Sequence, residues 1–191
     1  MILAAFRQRS HKGSIHAFYG AIVAQARSPA FYTSYGVPDT VEGRFELIVL
    51  HLVLVLHRLA REEEAGDGDG GGRGQAGAVG QRLFDAFCRD LDDNLREMGV
   101  GDLAVPKKMR RFGEAFYGRL AAYRAALAAA DERELETALG RNIFEIAVAD
   151  ARAAQLARYA RATARRLDAE EAAVVLAGSL AFPSPESFVH A

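Results

Sequence analysis

The stretch Thr40-Val-Glu-Gly-Arg-Phe-Glu-Leu-Ile-Val-Leu-His-Leu-Val-Leu-Val-Leu-His-Arg-Leu-Ala-Arg-Glu-Glu-Glu64 decides the fold. Between Phe45 and Leu56 it is apolar nearly all round. The Val/Leu run at 52–56 could pass for a strand, but its flanks are helical and too long for one. The stretch therefore predicts a helix from about Thr40 to Glu64. A helix that is greasy on every side belongs in the middle of a bundle. Asp39 and Glu42 have the spacing of a capping box at its start. The run Leu47 to Leu56 is broken by His51 and is half of the ~20 residues that a membrane span needs.

Working outward, the neighbours read as amphipathic helices. Ile15, Phe18, Tyr19, Ile22, Val23 and Ala26 follow one helical face. Ser28–Pro29 opens a short helix, serine as N-cap and proline first, which carries Phe31, Tyr32 and Tyr35 and stops at Gly36. On the other side, Phe84, Phe87, Cys88, Leu91, Leu95 and Met98 form one face, closed by Gly99. Pro106 opens the next helix, with Met109, Phe112, Gly113, Phe116, Leu120, Tyr123 and Leu127 inward. Asp131 caps a helix through about Phe144. A long Ala/Arg-rich helix follows to Leu167, and Glu170–Leu180 adds a short one. No segment alternates with period two, and no internal repeat is found.

Eight of the 18 glycines lie between Gly66 and Gly80, beside Glu62–Glu63–Glu64 and around Asp67 and Asp69. Such a segment has nothing to bury against its ordering entropy and reads as a flexible linker. The chain is thus expected to be all-α, a single-domain bundle of about six to eight helices with a Gly-rich flexible loop. Its expected parts are a basic tail over 1–14, a helical domain over 15–180 interrupted by the linker at 65–80, and a tail over 181–191.

With 191 residues, half of them apolar, the chain is long enough to bury a real core. A net charge of −1 argues against a dedicated nucleic-acid binder, and a single cysteine excludes an internal disulfide or cysteine-based zinc site. Met1–Phe6 is too short an apolar run for a signal peptide. Gly66, Gly68 and Gly71 match G-x-G-x-x-G, but no strand precedes them, and Asp67 and Asp69 would repel a pyrophosphate. The same aspartates fail as a calcium loop because no glutamate closes it. Cys88 shares the face of Phe84 and Leu91 and reads as a small core residue. No His-Glu-x-x-His, no Glu-x-x-His and no G-x-S-x-G occurs, so the chain reads as a non-enzyme without cofactor or metal.

Four charge patterns remain. No acid precedes Asp39, while Arg7, Arg9, Lys12 and Arg27 make that segment +4, a pattern attracted to anionic membrane surfaces. Arg44, His51 and Arg58 stack along one line of the greasy helix. If that line is buried it needs acidic partners, which Asp85, Asp90, Asp92 and Asp93 could supply. Lys107, Lys108, Arg110 and Arg111 sit at a helix start, against the helix dipole, directly after an acidic helix end. Residues that oppose local stability are binding candidates. The fourth is the helix before Asp168, where Arg158, Arg161 and Arg165 share a face.

These residues also resemble a known family, the ubiquinol–cytochrome c chaperones, assembly factors of the respiratory cytochrome bc complex. The resemblance rests on Tyr19-Gly-Ala-Ile-Val-Ala-Gln-Ala-Arg27, Tyr35-Gly-Val-Pro-Asp-Thr40, Gly43–Arg44–Phe45, Leu83-Phe-Asp-Ala-Phe-Cys-Arg-Asp-Leu91, Asn94-Leu-Arg-Glu-Met-Gly-Val-Gly-Asp102, Val105-Pro-Lys-Lys-Met109 and Glu114–Ala115–Phe116–Tyr117–Gly118. It covers about residues 15 to 128, with a looser match to about 178. It implies an all-α adaptor that holds newly made cytochrome b, in a chain similar to the shorter bacterial members. The expected partners are cytochrome b and an anionic membrane surface, with no specific nucleic acid. The protein is expected to act as a monomer, cytoplasmic or peripheral to the inner membrane. The candidate partner-binding residues are Tyr32 and Tyr35, read as exposed aromatics, with Arg44, Asp90, Asp93, Lys107, Lys108, Arg110 and Arg111. The alternative is a helical bundle that binds haem or quinone, with His51 or His57 as ligand. A third reading, nucleic-acid binding by the Arg-rich helix, predicts steeply salt-dependent binding.

Overall fold

The structure, a computed structural model, describes residues 15–65, 73–146 and 148–189. Among these residues every regular element is helical. In chain order they are α1 (15–26), α2 (Ala30–Thr33), α3 (Val41–Ala65), α4 (Arg73–Glu97), α5 (Val105–Ala128), α6 (Arg133–Ile143), α7 (Ala151–Ala169) and α8 (Ala172–Leu176), then a 3-10 turn, Pro185–Phe188. The expected single all-α bundle is what forms.

α3 is its axis. It packs against α4, α5, α6, α7 and α8, so no side of it faces water for long. Leu47, Val49, Leu50, Leu52 and Val53 are fully buried. That is why the stretch is apolar all round. The cap differs from the expected capping box. Thr40 Oγ1 accepts from Gly43 N at 3.1 Å, while Asp39 turns to Arg44 at 2.8 Å. Among the described residues no helix is long and apolar enough to cross a membrane.

The expected linker over 65–80 is too long at its far end. α4 begins at Arg73, and Ala76 and Val79 are buried. Glycines at 77 and 80 let this first part of α4 lie close to α3. A Cβ at Gly80 would sit 3.3 Å from Leu56 Cδ2. Each glycine lowers local helix propensity by about 1 kcal/mol, but packing of Ala76 and Val79 on α3 outweighs it. Residues 66–72 of the expected linker and the basic tail over 1–14 lie outside the described residues.

The segment expected as a tail from 181 is also corrected. It is a docked strap. Tyr35 Oη donates to Pro185 O at 2.7 Å, and Gln25 Nε2 donates to Pro183 O at 3.1 Å. Phe182 meets His51 edge-on at 5.7 Å, and Phe188 meets Tyr159 at 5.9 Å. The strap covers the end of the core formed by α1, α2, α3 and α7.

Candidate functional site

The stripe Arg44–His51–Arg58 finds its partners inside the fold, but not on α4. Arg44 is exposed and bonds Asp39. His51 is fully buried. Its Nδ1 lies 2.7 Å from Leu47 O, and Nε2 lies 2.8 Å from Tyr159 Oη. A carbonyl can only accept, so Nδ1 donates and Nε2 accepts from the tyrosine. Gln25 Nε2 donates in turn to Tyr159 Oη at 2.9 Å. Burial pulls His51 down to about 4 and pushes Tyr159 up to about 12, so both are neutral at pH 7. With both ring nitrogens engaged, His51 has no lone pair free for iron.

Arg58 closes the far end of α7. Its Nε donates to Leu167 O at 3.0 Å and its Nη2 to Glu170 O at 3.3 Å, while Nη1 meets Glu62 at 2.7 Å. Carbonyls at a helix C-terminus are short of donors; Glu170 N donates to Leu167 O at 3.3 Å, and the guanidinium adds two more hydrogen bonds there. The α4 carboxylates act elsewhere. Asp90 accepts from Tyr19 Oη at 2.9 Å. Burial, and then this carboxylate, pushes the Tyr19 hydroxyl well above its ordinary range. Asp93 is exposed.

Of the two aromatics read as exposed, Tyr35 is fully buried. Its ring packs on Phe31 at 5.3 Å, and the strap takes its hydroxyl. Tyr32 is half-buried, with its hydroxyl 3.3 Å from Ala26 O. The sequence marked both as aromatic but could not show that a C-terminal segment lies over one of them. Cys88 is half-buried against the core, and burial raises its thiol above the ordinary value.

The cationic cluster is on the surface. Val105 is buried and anchors the first turn of α5. Lys107, Lys108, Arg110 and Arg111 are all exposed, because Phe112 and Phe116 turn the opposite face toward the core. Arg110 lies 3.6 Å from Glu114. Among the described residues, no carboxylate lies within ion-pair distance of Lys107, Lys108 or Arg111.

The turn that leads into this cluster is held by backbone hydrogen bonds. α4 ends in a Schellman motif: Val100 N donates to Leu95 O and Gly99 N to Arg96 O, with Gly99 at φ +77°. Arg96 then bridges Asp92 at 2.7 Å and Asp102 at 2.5 Å. Ala104 N donates to Gly101 O at 2.8 Å. The turn so built holds Leu103 98% exposed, and Met98 is 56% exposed just before it. Met98 was expected on the core face of α4, but that helix ends one residue earlier and releases it. Leu103 was missed because the charges around it dominated the reading of this run. Its signal was a large apolar residue placed directly after Gly101 and Asp102 in the Gly99–Ala104 turn.

A second feature is a groove of about 220 Å³ between α3, α4 and α5, lined by Leu56, Leu59, Phe84, Phe116 and Tyr117. Tyr117 stands 57% exposed on its rim. Glu63 and Arg124 add charge to its lining, and Arg124 lies 3.7 Å from Glu64. It exists because glycines at 77 and 80 put no side chain into the space. Nearer the middle of α5, Arg119 clasps Glu46 through two nitrogens, Nε at 2.6 Å. Burial pushes the Glu46 carboxyl up and Arg119 pulls it back.

Residues 33–182 match the family described as ubiquinol-cytochrome C chaperone. A Xenopus laevis protein, "Ubiquinol-cytochrome-c reductase complex assembly factor 1", is 24% identical over 151 residues, 78% of this chain and 70% of that one. The crystal structure of a Cbp3 homolog from Brucella abortus aligns with a TM-score of 0.81 and 35% identity, over 97% of this chain and 98% of the other.

Proposed function

The chain belongs to the ubiquinol-cytochrome C chaperone family, and from that premise we propose that it is an assembly chaperone of the cytochrome bc complex which holds newly made cytochrome b. The observation that carries this reading is the extent of the family match, which runs from the end of α2 to the start of the strap and includes the α4–α5 turn. The chain would act by binding rather than by catalysis. Its charged surface supports that role: Lys107, Lys108, Arg110 and Arg111 are exposed on a helix start and lie where they do not help the helix. Arg44 and Asp93 are exposed candidates of the same kind, and Tyr32 offers a half-buried edge.

The test is affinity capture of the tagged chain from cross-linked membranes. Cytochrome b should be enriched in the capture, and cells without the chain should lack assembled complex. Normal complex in such cells would remove the assembly role. Normal capture of another respiratory subunit, with no cytochrome b, would keep the role and replace the client.

A further inference from the structure

We propose that the α4–α5 turn and the start of α5 form a docking toe for an anionic lipid surface, with Leu103 entering the bilayer interface and Lys107, Lys108 and Arg111 resting on headgroup phosphates. The inference deepens the proposed function and rests on it for its biological setting, since a chaperone of a membrane-protein client must work beside a bilayer.

Three observations meet at this place. Leu103 is 98% exposed, although its turn is fixed at both ends. The Schellman motif at Gly99 and the Arg96 bridge to Asp102 hold one side, and buried Val105 holds the other. With its backbone held by these hydrogen bonds, Leu103 packs on nothing in the fold, so its apolar surface is available to a partner. Met98 adds a second exposed apolar side chain at the end of α4.

The charge is the second observation. Lys107, Lys108 and Arg111 are exposed and without an ion-pair partner among the described residues. The nearby acids are accounted for in part: Asp92 and Asp102 are bound by Arg96, and Glu114 by Arg110, while Asp93 and Glu97 remain exposed on α4. Cations next to a projecting apolar side chain are what an anionic interface selects, because phosphates take the charge and the acyl boundary takes the leucine. The third observation is the helix dipole. The N-terminal N–H groups of α5 add a partial positive charge on the same side as the lysines.

The chain contains no tryptophan, so Leu103→Trp in the full chain creates a single reporter at the tip. An exposed position accepts this change without disturbing the core. The probes are vesicles of phosphatidylcholine alone and vesicles that also contain phosphatidylglycerol. With the anionic vesicles the emission should shift to the blue and the protein should co-sediment; with neutral vesicles neither should occur. Lys107→Glu with Arg111→Glu should weaken co-sedimentation about tenfold or more, while Leu103→Asp, which carries no reporter and is read by co-sedimentation alone, should also weaken binding to the anionic vesicles without changing the thermal midpoint. Co-sedimentation with unshifted emission would overturn the proposal, since another face would then hold the lipid. So would equal binding by the charge-reversed variant, or no binding at all. Because no client is present, failure here leaves the cytochrome b capture to stand or fall by itself.

Discussion

At the scale of single residues, His51 shows how a polar group survives in the centre of a greasy helix. Both its nitrogens are satisfied, and its charge is suppressed by burial. The unfolded imidazole gains a proton as pH falls below about 6.5, whereas the folded one waits until about 4. Over that window the unfolded state binds more protons. The stability contributed is therefore complete above about 6.5 and is lost toward 4, by about 1.4 kcal/mol per pH unit. His51→Leu strands the Tyr159 hydroxyl and should cost about 1–3 kcal/mol near neutral pH. Its deficit relative to the parent should shrink on going to about pH 5. Denaturant titrations at several pH values check this; a deficit independent of pH would mean that the ring is in contact with water.

At the scale of elements, the glycine-rich start of α4 carries a sharp expectation. Nothing lies within 4 Å of a Cβ built at Gly74. Gly74→Ala should therefore stabilise the protein by about 0.5–1 kcal/mol through helix propensity alone. Val79→Asp, at a position only 5% exposed, should cost about 3 kcal/mol or more. If both changes leave the denaturation midpoint where it was, this part of the chain is not helical in solution. The start of α5 makes the opposite kind of case. Lys107→Glu with Lys108→Glu replaces cations with anions at a helix N-terminus and should raise stability by a few tenths of a kcal/mol, about 0.3 or more. Assembled cytochrome bc complex in cells carrying the variant should nevertheless fall. A normal level of complex beside a normal thermal midpoint would reduce these lysines to decoration.

At the scale of the whole molecule, the C-terminal strap ties residues 182–188 back to α1 and to the turn after α2. Pro183 and Pro185 are tied to Gln25 and Tyr35, and Phe182 and Phe188 close over His51 and Tyr159. Ending the chain after Leu180 would open this aromatic cluster and leave the buried Tyr35 hydroxyl without its acceptor. The expected loss is about 3–5 kcal/mol, by analogy with removal of a large buried aromatic. Thermal unfolding of the truncated chain checks it, with helical content retained. An unchanged midpoint would show that the strap is not seated on the core.

The bundle itself was legible in the sequence, because period and greasiness are local properties. A helix apolar on all sides from Phe45 to Leu56 can satisfy itself only at the centre of other helices, and the one-sided faces of α1, α4 and α5 could only pack around it. The exposure of Lys107, Arg110 and Arg111 was legible for the same reason, since Met109, Phe112 and Phe116 claim the other side. What the sequence could not show is what arrives from far along the chain. Tyr35 is buried by Pro185, and Arg58 is satisfied by Leu167 and Glu170. The glycines at 77 and 80 belong to a helix because α3 lies against them. The sequence by itself determined which helical faces had to leave water, though not the fate of Tyr35 or Met98. Only the tertiary structure decided which distant atoms would meet them, because a hydrophobic face specifies burial but not its partner.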